Sequence, residues 1–121
     1  MKIVSFFESD YNFSAKLSKI CDLESDELFF LDKFDLLNQF KGSQNVLLII
    51  DFNDYKENLE FVIDSIKNIG NFTVCILIDT MNSKVQKQAT KIGFDIIMSK
   101  AIFLMNIKAI KQQLSNTIKK S

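Results

Sequence analysis

The sequence predicts a doubly wound α/β domain: one five-stranded parallel sheet in the order 2-1-3-4-5, with five helices packed on its two faces. Three observations predict it. Short apolar runs alternate five times with segments of helical spacing. One of the runs, VLLII at 46–50, is apolar throughout, as a strand covered on both faces must be. The connections are short, and with right-handed crossovers they leave few other topologies. The 121 residues form one domain, 1–121, large enough to bury a core without disulfides or a structural metal.

The strand-like runs fall at 2–7, 27–31, 45–50, 72–78 and 95–98. The first helix begins at about residue 12, with Asp10 or Asn12 as its cap, and places Phe13, Leu17, Ile20 and Cys21 on one face. A shorter second helix carries Phe34, Leu37 and Phe40 and stops at Gly42. The third, 55–69, turns Leu59, Val62 and Ile66 inward and stops at Gly70. The fourth, 83–92, is the most polar, with only Val85, Ala89 and Ile92 to bury before Gly93. The fifth runs from about residue 104 with Ile107, Ile110, Leu114 and Ile118 as its stripe.

Composition excludes several chemistries. The chain has no histidine, which removes imidazole bases and ligands, and with them the common triads and zinc hydrolases. Its three glycines, Gly42, Gly70 and Gly93, all fall at helix stops, so there is no dinucleotide fingerprint and no P-loop. Cys21 and Cys75 lie in apolar contexts with no C-x-x-C and read as core packing. No apolar stretch is long enough to span a bilayer, and the N-terminal run is too short for a signal peptide, so a cytoplasmic protein with no membrane contact is expected. Net charge is zero but graded. Residues 1–64 hold thirteen acids against six lysines, and residues 65–121 hold two acids against nine. The lysine-rich half reads first as a solvated face; contact with nucleic acid is expected only through an output domain following Ser121.

In an open parallel sheet, ligands bind at the carboxyl ends of the strands. Strands one and three are neighbours in the predicted order, which brings Glu8 and Asp51 to one corner. Two close carboxylates repel, and a hard cation such as magnesium is the usual remedy. Lys100, after strand five, reaches toward the same place. An aspartate nucleophile with a cation and a lysine makes a phosphoryl acceptor. The competing reading is that Asp51 only caps the helix that follows it.

VLLIID at 46–51, Glu8, and GFDIIMSK at 93–100 together resemble the response-regulator receiver domain over the whole chain, which implies its flavodoxin-like sandwich. The resemblance implies Asp51 as phosphoacceptor and, with Glu8 and the backbone carbonyl of Asn53, as a magnesium ligand, and Lys100 on the phosphoryl group. Thr80 becomes the switch hydroxyl only if the alignment slips by two residues. Four positions depart from the family. Phe7 stands where a first acid is expected, Ile78 where a hydroxyl is expected, and Ile97 where an aromatic is expected. Ala101 replaces a proline, where a cis bond would cost roughly 3 kcal/mol more. The expectation is therefore an atypical receiver, with weak magnesium binding and a trans bond or reshaped loop after Lys100. One form takes a phosphoryl group from a histidine kinase or phosphotransfer protein. The other is a phosphorylation-independent pseudo-receiver that contacts a protein partner or a second copy through helix four, strand five and helix five. Neither is a turnover enzyme. A metal-dependent nuclease would need a D-x-D that the chain lacks.

Overall fold

A computed structural model of the chain describes residues 1–120, with side chains described as far as Leu114. Five strands, β1 (Lys2–Ser5), β2 (Glu27–Phe30), β3 (Val46–Asp51), β4 (Thr73–Ile78) and β5 (Ile96–Ser99), form one parallel sheet in the order β2-β1-β3-β4-β5. That is the predicted order. β1 pairs β3 from Lys2 opposite Val46 to Ser5 opposite Ile49, which puts the ends of these distant segments side by side.

β3 explains why the rest of the domain forms around it. Every residue from Val46 to Asp51 is buried, and alternate side chains feed two separate cores. Val46, Leu48 and Ile50 pack on one face with Leu59, Val62, Ile63 and Ile66 of α3 (Leu59–Ile69). Leu47 and Ile49 pack on the other with Phe13, Leu17 and Cys21 of α1 (Tyr11–Glu24) and with Phe103, Ile107 and Ile110 of α5 (Lys100–Lys120). A strand buried on both faces has no polar alternation to show, and the sequence shows none.

Several boundaries differ from the sequence reading. The second helix is a 3-10 turn, Phe34–Phe40, burying Leu37 and Phe40. The third helix, expected from residue 55, starts only after Asn58, and a separate single turn, α2 (Phe52–Tyr55), begins directly at the end of β3. α5 starts at Lys100, without the loop expected before residue 104, and all peptide bonds in the described residues, Lys100–Ala101 included, are trans. Asp10, of the two candidate caps, is the cap of α1; its Oδ1 accepts from the Phe13 N–H at 3.0 Å. α4 (Ser83–Ile92) fully buries only Ala89, with Val85 and Ile92 half-buried. Gly42 (φ +83°) and Gly93 (φ +122°) take left-handed backbone that a side chain would strain. The side chain of Ile118 lies outside the described residues. Among the described residues no helix is long and apolar enough to cross a membrane.

Candidate functional site

The site grows from the end of β3. The apolar run drives the strand through the core and delivers Asp51 to the sheet's carboxyl edge with only 1% of its surface exposed. There Asp51 does what the simpler reading expects: its Oδ1 accepts from the Asn53 N–H at 3.0 Å and caps α2. It also meets Lys100. The lysine Nζ stands 3.2 Å from the Asp51 carboxylate, because β5 ends beside β4 and α5 begins immediately after it.

Two further carboxylates close on the same ammonium. Asp10 Oδ2, from the cap of α1, lies 2.8 Å from Lys100 Nζ, and Asp79 Oδ1, just past the end of β4, also lies at 2.8 Å. Asp79 is steadied from behind by the Asn53 side-chain amide, 2.6 Å from its other oxygen. The Phe7 ring, stacked on Phe13 with centroids 4.4 Å apart, turns toward the ammonium at 5.5 Å, within cation–π range. Asp51 and Lys100 are the buried floor of the corner; Asp79 is its exposed rim, its side chain 62% accessible.

Charges in the corner respond to these neighbours. Burial opposes the charge on Lys100, but its hydrogen bonds to Asp10 and Asp79 and the charge of Asp51 outweigh burial and raise its pKa above the ordinary value. The hydrogen bond from Lys100, then the Phe13 N–H, holds Asp10 below the ordinary carboxylate range. Lys100, then the Asn53 amide, does the same for Asp79. Burial pushes Asp51 upward, against the Asn53 N–H and the Lys100 charge, both of which favour the ion.

The structure separates other expected partners. Glu8 is not on Lys100 with Asp51. Its N–H donates to Asp54 Oδ2 at 2.8 Å, the Ser9 hydroxyl donates to Asp54 Oδ1 at 2.6 Å, and the loop is thereby tied over α2. The Glu8 carboxylate lies against Tyr55, whose phenol is raised first by burial and then by Glu8 and Asp54. The acid from the first loop that does meet Lys100 is Asp10. Thr80 is exposed, one residue beyond the acid that occupies this end of β4. Asn53 faces the site through its N–H and its amide. Ile97 is half-buried on β5 and Ala101 is exposed on α5. The sequence held a signal for Asp79: VCILI ends in an acid just as VLLII does, on the neighbouring strand.

A magnesium ion would need about six oxygens in near-octahedral array. Among the described residues no three acids, cysteines or histidines come together so as to hold a metal ion. Asp10, Asp51 and Asp79 instead aim at one ammonium. The residues as arranged do not fit the ion. The thiols do not supply an alternative nucleophile. Both are free and buried, and burial with the nearby Asp26 charge pushes Cys21 up to about 11.

No family model matches the chain, and no curated protein matches it in sequence. Among solved structures, the chain is similar to a response regulator from Thermotoga maritima, with a TM-score of 0.67 and 13% identity over 92% of this chain and 97% of that one. It is also similar to a response regulator in red light signaling of R. palustris, with a TM-score of 0.60 and 17% identity over 90% of each chain. The likeness spans both chains almost end to end, and at these identities it is a likeness of fold: this protein has the receiver fold of the response regulators.

Proposed function

We propose that the chain is a receiver module of two-component signal transduction, a switch or scaffold that acts through protein contacts and turns over no substrate. One observation carries the proposal: on a scaffold shared with solved response regulators, Asp51 ends the central strand and meets Lys100 at 3.2 Å. Fold alone assigns no function; the corner is what points to this one.

Within that reading, charge balance favours a module that works without phosphorylation. Three aspartates already face a single lysine. A phosphoryl group would bring a charge of about −2 to a position with 1% exposure, and the donors do not converge on a divalent ion that would offset it. Contacts then fall to the face of α4, β5 and α5. Ile97 and Met98 on the edge strand are half-buried there, and Ile102 and Met105 of α5 are exposed. Its occupant is a signalling partner or a second copy of the chain.

The Asp51–Lys100 distance also favours a second reading, in which Asp51 accepts a phosphoryl group from a histidine kinase or phosphotransfer protein. A carboxylate oxygen of Asp51 would attack phosphorus as the bond from phosphorus to the donor's imidazole nitrogen breaks, with Lys100 balancing charge on the transferring oxygens. Incubation with a small phosphodonor, with and without magnesium, followed by intact-mass measurement, separates the two. The phosphorylation-independent reading expects an unchanged mass in both arms. One added phosphoryl group, absent from Asp51→Asn, establishes the phosphoacceptor instead.

A further inference from the structure

We infer that the ammonium of Lys100 is the resident cation of the corner, and that no divalent ion binds at Asp51 while Lys100 is in place. The inference takes its location from the receiver reading and goes beyond it in assigning what occupies the site. A lysine ammonium has three N–H donors and no acceptor. Three carboxylates surround this one, Asp10 at 2.8 Å, Asp79 at 2.8 Å and Asp51 at 3.2 Å, so each donor has an anionic partner. The face of Phe7, 5.5 Å away, adds a further surface that favours a positive charge and offers no oxygen to a metal.

Each carboxylate is itself held in place. Asp10 accepts from the Phe13 N–H, Asp51 from the Asn53 N–H, and Asp79 from the Asn53 amide. Each acid thus has a partner besides the lysine to fix its direction, which is the condition for a strong site. Lys100 itself is the first residue of α5, with 10% of its side chain accessible, so swinging it out means exposing the buried Asp51 charge. A magnesium ion entering here would have to displace an ammonium that already satisfies all three acids. Removing the lysine reverses the situation: three carboxylates are left without their counter-ion and can shift out of their present arrangement, which does not fit a metal, toward a hard divalent cation.

The test uses the intact chain and the metal alone. Wild type is heated with and without millimolar magnesium, against sodium chloride matched for ionic strength, and its backbone amide spectrum is followed during titration with manganese as a paramagnetic probe. The expected result is no magnesium-specific change in melting temperature and no selective broadening at Asp10, Asp51, Asn53 or Asp79. In Lys100→Met, magnesium at about ten times its dissociation constant raises the melting temperature by roughly 4 °C over the salt control. Selective broadening of those amides in wild type overturns the inference, as does a folded Lys100→Met that gains no more from magnesium than from salt. The wild-type arm does not depend on the variant folding. Magnesium binding without a phosphoryl adduct would remove this inference and leave the phosphorylation-independent reading standing; an adduct formed without metal would do the reverse.

Discussion

At each end of the sheet a lysine of α5 meets a buried aspartate, and the two meetings are built differently. At the amino end Lys111 Nζ lies 2.8 Å from Asp26, a residue whose side chain is fully buried, and the Met1 α-amino group lies 3.2 Å from the same oxygen. Lys111 also reaches the Glu24 carbonyl at the end of α1. Two cations serve one carboxylate there, and the result is a clamp joining α1, β2 and α5. At the carboxyl end the ratio is inverted, with one cation serving three carboxylates, one of them largely exposed. Similar ion pairs therefore give a closed structural joint where cations are in excess. They give an anion-rich corner open to solvent where acids are in excess.

The sharpest way to break this comparison is to delete each lysine in turn. Lys100→Met leaves Asp51 buried without its counter-ion and is expected to lower unfolding stability by about 3–5 kcal/mol at neutral pH in urea denaturation. Lys111→Met leaves Asp26 with the Met1 amine and is expected to cost less, about 1–2 kcal/mol. Equal losses would mean that the two ends are equivalent. The carboxyl-end variant should also regain stability with magnesium, and the amino-end variant should not.

A smaller effect appears with pH. Lys100 has its pKa raised in the folded protein, so its contribution is fully present below the ordinary value of 10.5 and is lost as pH rises through the higher folded value. Asp10 and Asp79 have theirs lowered, so their contributions are present above 3.8 and are lost as pH falls through the lower folded values. Burial raises Asp51, which acts in the opposite sense and blunts the acid limb. The stability difference between wild type and Lys100→Met should therefore shrink as pH falls and the uncompensated, buried Asp51 of the variant takes up a proton, and shrink again as pH rises through the folded pKa of Lys100. A difference that does not shrink on acidification would contradict this assignment of charges.

The smallest effects sharpen the assignment of roles. Asp79→Asn, on the exposed rim, should change stability by less than about 1 kcal/mol. Glu8→Gln should leave both stability and the behaviour of the Asp51 corner within about 0.5 kcal/mol of wild type, since Glu8 faces Tyr55. A marked change in magnesium response in Glu8→Gln would return that residue to the corner.

The sheet was legible because β3 is buried on both faces and announces itself as an unbroken apolar run, from which order and neighbours follow. Asp51 and Lys100 were legible for the same reason: each sits at the end of a strand, and topology alone carries strand ends to one edge. The loop residues were not. Glu8 and Asp10 are two positions apart, and which of them faces Lys100 is decided by Asp54 and Tyr55, forty-odd residues away on a turn that the sequence reading left outside its third helix except for Tyr55. Asp79 was not legible from the resemblance, which calls for a hydroxyl near Thr80, although its strand repeats the pattern that marks Asp51.

The most direct measurement is the proton–nitrogen correlation signal of the Lys100 ammonium, recorded with and without magnesium. An ammonium paired with three carboxylates, with only 10% of its own side chain accessible, holds its protons long enough to be seen near neutral pH. The expected result is a Lys100 signal that persists unchanged in millimolar magnesium and vanishes in Lys100→Met. A signal that is lost or displaced as magnesium is added, together with shifts of the Asp51 and Asn53 amides, would contradict the resident-cation assignment at its root.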